Sequence, residues 1–217
     1  MDDDKDRRAA FMSALTTEHF VLQTAASATV TEAGARTSLY VFSLSSSLVA
    51  LGFVSQFKET FHLFAAAVLP ALFILGVFTT VRLIDTGIEN QQFLRGIARI
   101  RSYYRTLTPE AAVYFSAESG RWPEGHSAPP LWYSPSIALL TTAASMIAFI
   151  NSIVAGTGLT MLATNLLGQQ ILVATGFGVL VTAVLMVIFL AYQRWRYSGT
   201  EIAQTGHDGS EAEQRRQ

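Results

Sequence analysis

Residues 37–81 read TSLYVFSLSSSLVALGFVSQFKETFHLFAAAVLPALFILGVFTTV, and the fold follows from where the charges fall in this stretch. Thr37 to Phe57 is free of charge for 21 residues, and Thr60 to Val81 for 22, taking His62 as neutral. Only Lys58 and Glu59 stand between them. A helix rises about 1.5 Å per residue, so about 20 apolar residues cross a hydrocarbon core of roughly 30 Å. Each run is one crossing, and the "FKET" break makes the pair a tight hairpin.

Working outward, Ser127 to Gln193 holds no charged residue at all, which is too long for one crossing and suits two. The glycines and Asn165 of "GTGLTMLATNLLGQQ" (156–170) mark the expected turn between them. Crossings are therefore expected near 37–57, 60–83, 132–155 and 170–192. Core helices of a soluble protein would carry a polar face, and these runs lack a charged one. The first apolar run begins after 36 residues and is followed by another crossing rather than a small-residue cleavage site, so a cleaved leader is not expected. Across the chain half of the residues are apolar and 14% are charged, where ordinary globular chains have about 25% charged residues.

Lys and Arg collect on the cytoplasmic side of a membrane. Lys5, Arg7, Arg8 and Arg36 precede the first crossing. Arg82, Arg95, Arg99, Arg101, Arg105 and Arg121 lie between the second and third, and Arg194, Arg196, Arg215 and Arg216 follow the fourth. In a four-crossing chain those segments share one side, leaving Lys58 alone on the other. Both termini are expected in the cytoplasm of a bacterial inner membrane. Tyr40, Trp132, Tyr133, Tyr192, Trp195 and Tyr197 flank the crossings as interfacial aromatics do.

Five segments result: an N-terminal segment with an amphipathic helix (1–36), a transmembrane hairpin (37–85), a cytoplasmic helical loop (86–131), a second hairpin (132–193) and a disordered cytoplasmic tail (194–217). The fold class is all-α, an integral membrane four-helix bundle with cytoplasmic amphipathic helices. At 100° per residue Phe93, Ile97, Ile100, Tyr104 and Leu107 share one face of a helix, with Arg95 and Arg99 opposite and Arg101 and Arg105 on a flank. A break is allowed at Gly87, and Thr108-Pro109-Glu110 has the form of a new helix start. Phe11, Leu15, Leu22 and Ala26 lie near one face of a second helix, which either rests on the membrane surface or packs against 93–107. The first eight residues, MDDDKDRR, read as disordered. Arg95, Arg99, Arg101 and Arg105 have four readings: the inside signal on a solvated face, contact with anionic lipid headgroups, an electropositive mouth for anions, or, least favoured, stacking with Tyr103 and Tyr104 to hold a nucleotide base or nucleic acid.

Ser134, Ala138, Thr141, Ser145, Ala148, Ser152 and Ala155 recur at steps of four and three, a seam of small residues on the third crossing. Small residues let helix backbones approach closely in lipid. The seam is either internal to the bundle or a contact with neighbouring subunits. Ser43 and Ser47 with Asn151 are candidates for a polar path, and Arg82 and Asp85 are spaced to pair at i,i+3.

No catalytic pattern is found. "TEHF" sets Glu18 beside His19 without the second histidine of a zinc protease, and no G-x-S-x-G or phosphate-binding glycine loop occurs. The chain has no cysteine, which removes disulfides, thiol nucleophiles and thiolate metal ligands. A net charge of −1 gives no reason to expect nucleic acid. No enzyme activity, cofactor or metal is expected.

The expected partners are the bilayer with its anionic headgroups, further copies of the chain, and a cytoplasmic protein. The leading expectation is a homo-oligomeric channel, pore or membrane-perturbing protein with an Arg-rich cytoplasmic collar. The alternative is a non-conducting scaffold that docks a cytoplasmic partner. The layout of helix, tight two-span hairpin and cytoplasmic helices resembles bacterial two-span effectors of the SLATT type. The second hairpin departs from that pattern, and no family is assigned.

Overall fold

A computed structural model of the chain describes residues 2–115, 141–166 and 168–214. Every regular element among them is a helix: α1 (Asp2–Val54), α2 (Lys58–Arg105), α3 (Ala111–Tyr114), α4 (Ala143–Leu166) and α5 (Ile171–Gln214). Four of these, all but α3, contain a stretch long and apolar enough to cross a membrane.

The two hairpin turns are short. Between α1 and α2, the Ser55 amide donates to the Leu51 carbonyl at 2.9 Å and the Ser55 hydroxyl to the Gly52 carbonyl at 2.6 Å, which closes the end of α1. Between α4 and α5, Gly168 takes a φ of +60°, a left-handed conformation that suits glycine. The Gln169 amide then reaches back to the Ala163 carbonyl at 3.2 Å.

This turn lies later than the sequence suggests. Residues 156–166, expected as part of the turn, continue α4 as helix. Gly156 and Gly158 are helical residues used for close packing, and only 167–170 leave the helix. The third stretch long and apolar enough to cross a membrane accordingly lies at 143–165. Trp132, Tyr133, Ser134, Ala138, Arg121, Arg215 and Arg216 fall outside the described residues.

Both ends differ from the expected disorder. The backbone is helical from Asp2, and Arg7 pairs with Asp3 one turn away. Acidic residues in a first turn suit the positive end of the helix dipole. At the other end α5 runs on to Gln214. Extending an existing helix avoids the cost of nucleation, so a polar tail joined to an apolar stem becomes helical more readily than the same tail alone. Gly87 likewise does not interrupt α2.

The chain forms two compact units, Met1–Ala33 with Thr86–Ala138 and Gly34–Asp85 with Leu139–Gln217. In the first, the N-terminal stretch of α1 packs antiparallel on the C-terminal stretch of α2. Thr29 meets Asn90, Leu22 covers Gly96 and Phe11 meets Tyr103. Of the two placements open to the 9–33 helix, contact with 93–107 is the one found. Ile97, Ala98 and Ile100 are buried, Phe93 and Tyr104 are half-buried, and Leu107 is exposed. The Thr108 hydroxyl accepts the Ala111 amide at 3.3 Å, so Thr108 assists the start of α3.

In the second unit α4 and α5 pack closely as an antiparallel pair. Its exterior is apolar. Phe42, Phe53, Leu63, Phe78 and Leu172 are each at least 70% exposed.

Candidate functional site

The polar groups of the second unit gather at helix contacts, and Asn151 joins three helices. It lies in the first half of α4, whereas a crossing at 132–155 would have put it near the outer end. The Asn151 Oδ1 accepts the Tyr40 hydroxyl of α1 at 3.2 Å, and its Nδ2 donates to the Phe73 carbonyl of α2 at 3.1 Å. Tyr40 is 0% exposed and Asn151 4%, so this junction is sealed. Gly76 provides its space: a Cβ there would stand 2.1 Å from Asn151 Oδ1. Tyr40, expected as an interfacial aromatic, is instead a buried donor.

Asn151 belongs to a closed three-helix lock. Ser43 and Ser47, half-buried on α1, share no hydrogen bond with it.

The small-residue seam is buried within the chain from Ser145 to Ser152. Ser145, Ala148 and Ser152 are buried, Ala155 is half-buried and Thr141 is exposed. The closest approach lies beyond the expected seam. Ser152, Gly156 and Thr160 on α4 run against Thr182, Gly178 and Ala174 on α5, each set at four-residue steps. The Thr182 hydroxyl donates to the Ser152 carbonyl at 3.1 Å, and the Thr160 hydroxyl to the Ala174 carbonyl at 3.3 Å. A Cβ on Gly156 would lie 2.5 Å from the Gly178 carbonyl oxygen, and one on Gly178 would lie 2.6 Å from that of Gly156. The steps of four are legible in the sequence; their continuation through Gly156 was hidden by reading that glycine as a turn.

Sequence reasoning missed Gln193. It is 1% exposed, accepts the Ser145 hydroxyl at 3.1 Å and donates to the Thr142 hydroxyl at 3.1 Å. Thr142 in turn accepts the Ser145 amide at 3.2 Å, capping α4. Its place beside Arg194, at the edge of an uncharged run, was the available signal. Asp85 pairs with Arg196 of α5, a partner 111 residues away. Distant partners of this kind are not readable from local spacing.

The first unit holds the basic residues. Arg99 is exposed, and Arg95, Arg101 and Arg105 are half-buried. The Arg101 guanidinium stacks over the Phe115 ring at 5.6 Å, and Tyr104 lies 5.3 Å from the same ring. His19 of α1 faces Tyr104 at 6.4 Å, and its Nδ1 is buried with no hydrogen-bond partner among the described residues. Burial, and secondarily the charge of Arg101, hold the His19 imidazole below its ordinary pKa, which favours the neutral ring.

No group of three or more His, Cys, Asp or Glu residues suited to a metal occurs among the described residues. The arrangement therefore offers hydrogen-bonded helix locks, a basic aromatic surface and an apolar exterior. No family model, curated protein or solved structure matches the chain.

Proposed function

We propose that the chain is an integral membrane protein of a bacterial inner membrane, crossing it four times with both termini cytoplasmic. The apolar exterior of the second unit supports this. Leaving that surface in water would cost roughly 25 cal/mol per Å², and soluble monomers rarely expose apolar patches beyond a few hundred Å².

Within that frame the chain works as a homo-oligomeric channel, pore or membrane-perturbing protein. The observation that carries this reading is the outward face of α1. Ser38, Ser45 and Gly52 recur every seven residues, and all three are exposed. Nothing lies within 4 Å of where a Cβ on Gly52 would stand. In lipid, exposed hydroxyls and bare glycine gain most from a neighbouring helix. With Ser145 and Ser152 occupied inside the chain, α1 becomes the assembly face. A conducting path then lies on the oligomer axis. On the cytoplasmic side, Arg95, Arg99, Arg101 and Arg105 supply a positive field that attracts anions and anionic headgroups.

The chain has no cysteine, which makes the test direct. Ser45→Cys should form disulfide-linked oligomers in membranes, while Ser152→Cys should stay monomeric. Liposomes holding the purified protein should pass ions, and Ser45→Leu should abolish both assembly and flux. A monomer without flux would overturn this reading.

The second reading, a non-conducting scaffold, draws on the closed Asn151 and Gln193 clusters, which spend interior polar groups on helix locking. Intact oligomers without flux, together with a cytoplasmic protein cross-linked through 93–107, would favour it.

A further inference from the structure

An apolar groove lies between α2 and α4, with one edge on α5 and a volume of about 620 Å³. That lies within the ~300–1,000 Å³ typical of small-ligand sites. Its α2 wall runs from His62 to Phe73 and its α4 wall from Val154 to Asn165. At 1.5 Å per residue each wall is about 16 Å long, half of a hydrocarbon core of about 30 Å. The groove is one leaflet deep.

Its polarity is confined to one end. His62 and Asn165 are the polar side chains of the lining, and both stand near the turns where α2 begins and α4 ends. The shaft is formed by residues such as Ala66, Leu69, Pro70 and Leu162. Lys58 stands one helical turn before His62. Gly158 forms part of the floor, and a Cβ there would meet only Leu69, at 3.7 Å.

We propose that this groove holds one acyl chain of an anionic phospholipid, with the phosphate at the His62 end. The proposal rests on the membrane reading above and is independent of conduction. Water is a poor occupant, because a bound water needs about two to four polar partners and the shaft offers apolar side chains. A single hydrocarbon chain matches both the one-leaflet depth and the apolar lining. At the open end the His62 imidazole and the Asn165 amide can donate hydrogen bonds to phosphodiester oxygens, and the sequence places a cationic residue, Lys58, four positions before His62.

The test uses the full chain in liposomes of phosphatidylglycerol bearing a photoactivatable diazirine on its acyl chain, with adducts mapped by mass spectrometry. Adducts should concentrate within 62–73 and 154–165, above those on the exposed faces carrying Phe42 and Leu172. Gly158→Leu and Ala155→Phe both project bulk into the groove. Each should lower groove labelling about tenfold while labelling of the exposed faces stays unchanged. Two variants are used so that misfolding of one, seen as lost helicity, leaves the other as the test. Replacing the headgroup with phosphatidylcholine should reduce groove labelling in the wild type but not in His62→Ala. Uniform labelling that ignores Gly158→Leu and Ala155→Phe would overturn the site, as would protein–protein cross-links filling the groove. Indifference to headgroup would overturn the anionic assignment. A chain that takes no label anywhere, and stays outside the liposomes, would sink the membrane reading itself.

Discussion

Asn151 shows how one side chain can join three helices. Its amide links Tyr40 and the Phe73 carbonyl, and Gly76 leaves the space it occupies. Interhelical bonds in lipid average about 0.6 kcal/mol, and a buried donor left without a partner costs about 1–3 kcal/mol. Asn151→Ala should therefore destabilise the chain by about 1–3 kcal/mol in micellar unfolding. Gly76→Ala should also destabilise, since its Cβ collides with Asn151 Oδ1. The double variant should be more stable than the sum of the two losses predicts, by about 1 kcal/mol, because each change removes the other's reason for harm. Additive losses would mean that the two residues act separately. His19 makes a second residue-scale case. Its folded pKa is lowered, so the unfolded chain binds more protons just below the ordinary value of 6.5. The first unit should then lose stability as pH falls below about 6.5, until the folded imidazole also protonates. Hydrogen-exchange protection factors over 11–29, which correct for the pH dependence of the intrinsic rate, should fall between about pH 7.5 and about pH 5.5 in the wild type, and much less in His19→Gln.

At the scale of elements, α4 and α5 depend on how near their backbones can come. The crossing at Gly156 and Gly178 has no room for a Cβ on either side: the Thr182 and Thr160 hydroxyls stand nearest, and behind them the carbonyl oxygens of the opposing glycines. Side chains can rotate aside but these carbonyl oxygens cannot without moving a helix. Gly156→Ala should push the pair apart, weaken the Thr182 to Ser152 bond, and cost about 1–3 kcal/mol. Adding Gly178→Ala should make matters worse rather than compensate. Thermal unfolding of the two variants checks both statements. The seam was visible as a run of small residues, but which neighbour it meets was not. Periodicity defines a face, and a face is compatible with any partner of matching shape.

At the scale of the molecule, the charge pattern predicts a topology with 86–131 inside and the 55–57 turn outside. In intact cells a membrane-impermeant thiol reagent should modify Ser55→Cys and spare Thr106→Cys, with the second site reacting once the membrane is opened. Labelling of Thr106→Cys from outside would remove the cytoplasmic assignment of the basic helix, and with it any role for Arg95 to Arg105 at an inner entrance.

Four helices of crossing length are written in the sequence, because length and absence of charge are local properties that survive any tertiary arrangement. The same holds for the face shared by Ile97 and Ile100 and for the brevity of the 55–57 turn. The tertiary structure alone decided that Tyr40 is a buried donor, that Gln193 holds the start of α4, that Asp85 meets Arg196, and that Gly156 is a contact rather than a turn. Each depends on a partner tens of residues or more away in the chain. A single chain's spacing records which residues lie on one helix face; the packing of helix on helix determines which polar groups find each other and which glycines are needed for close approach.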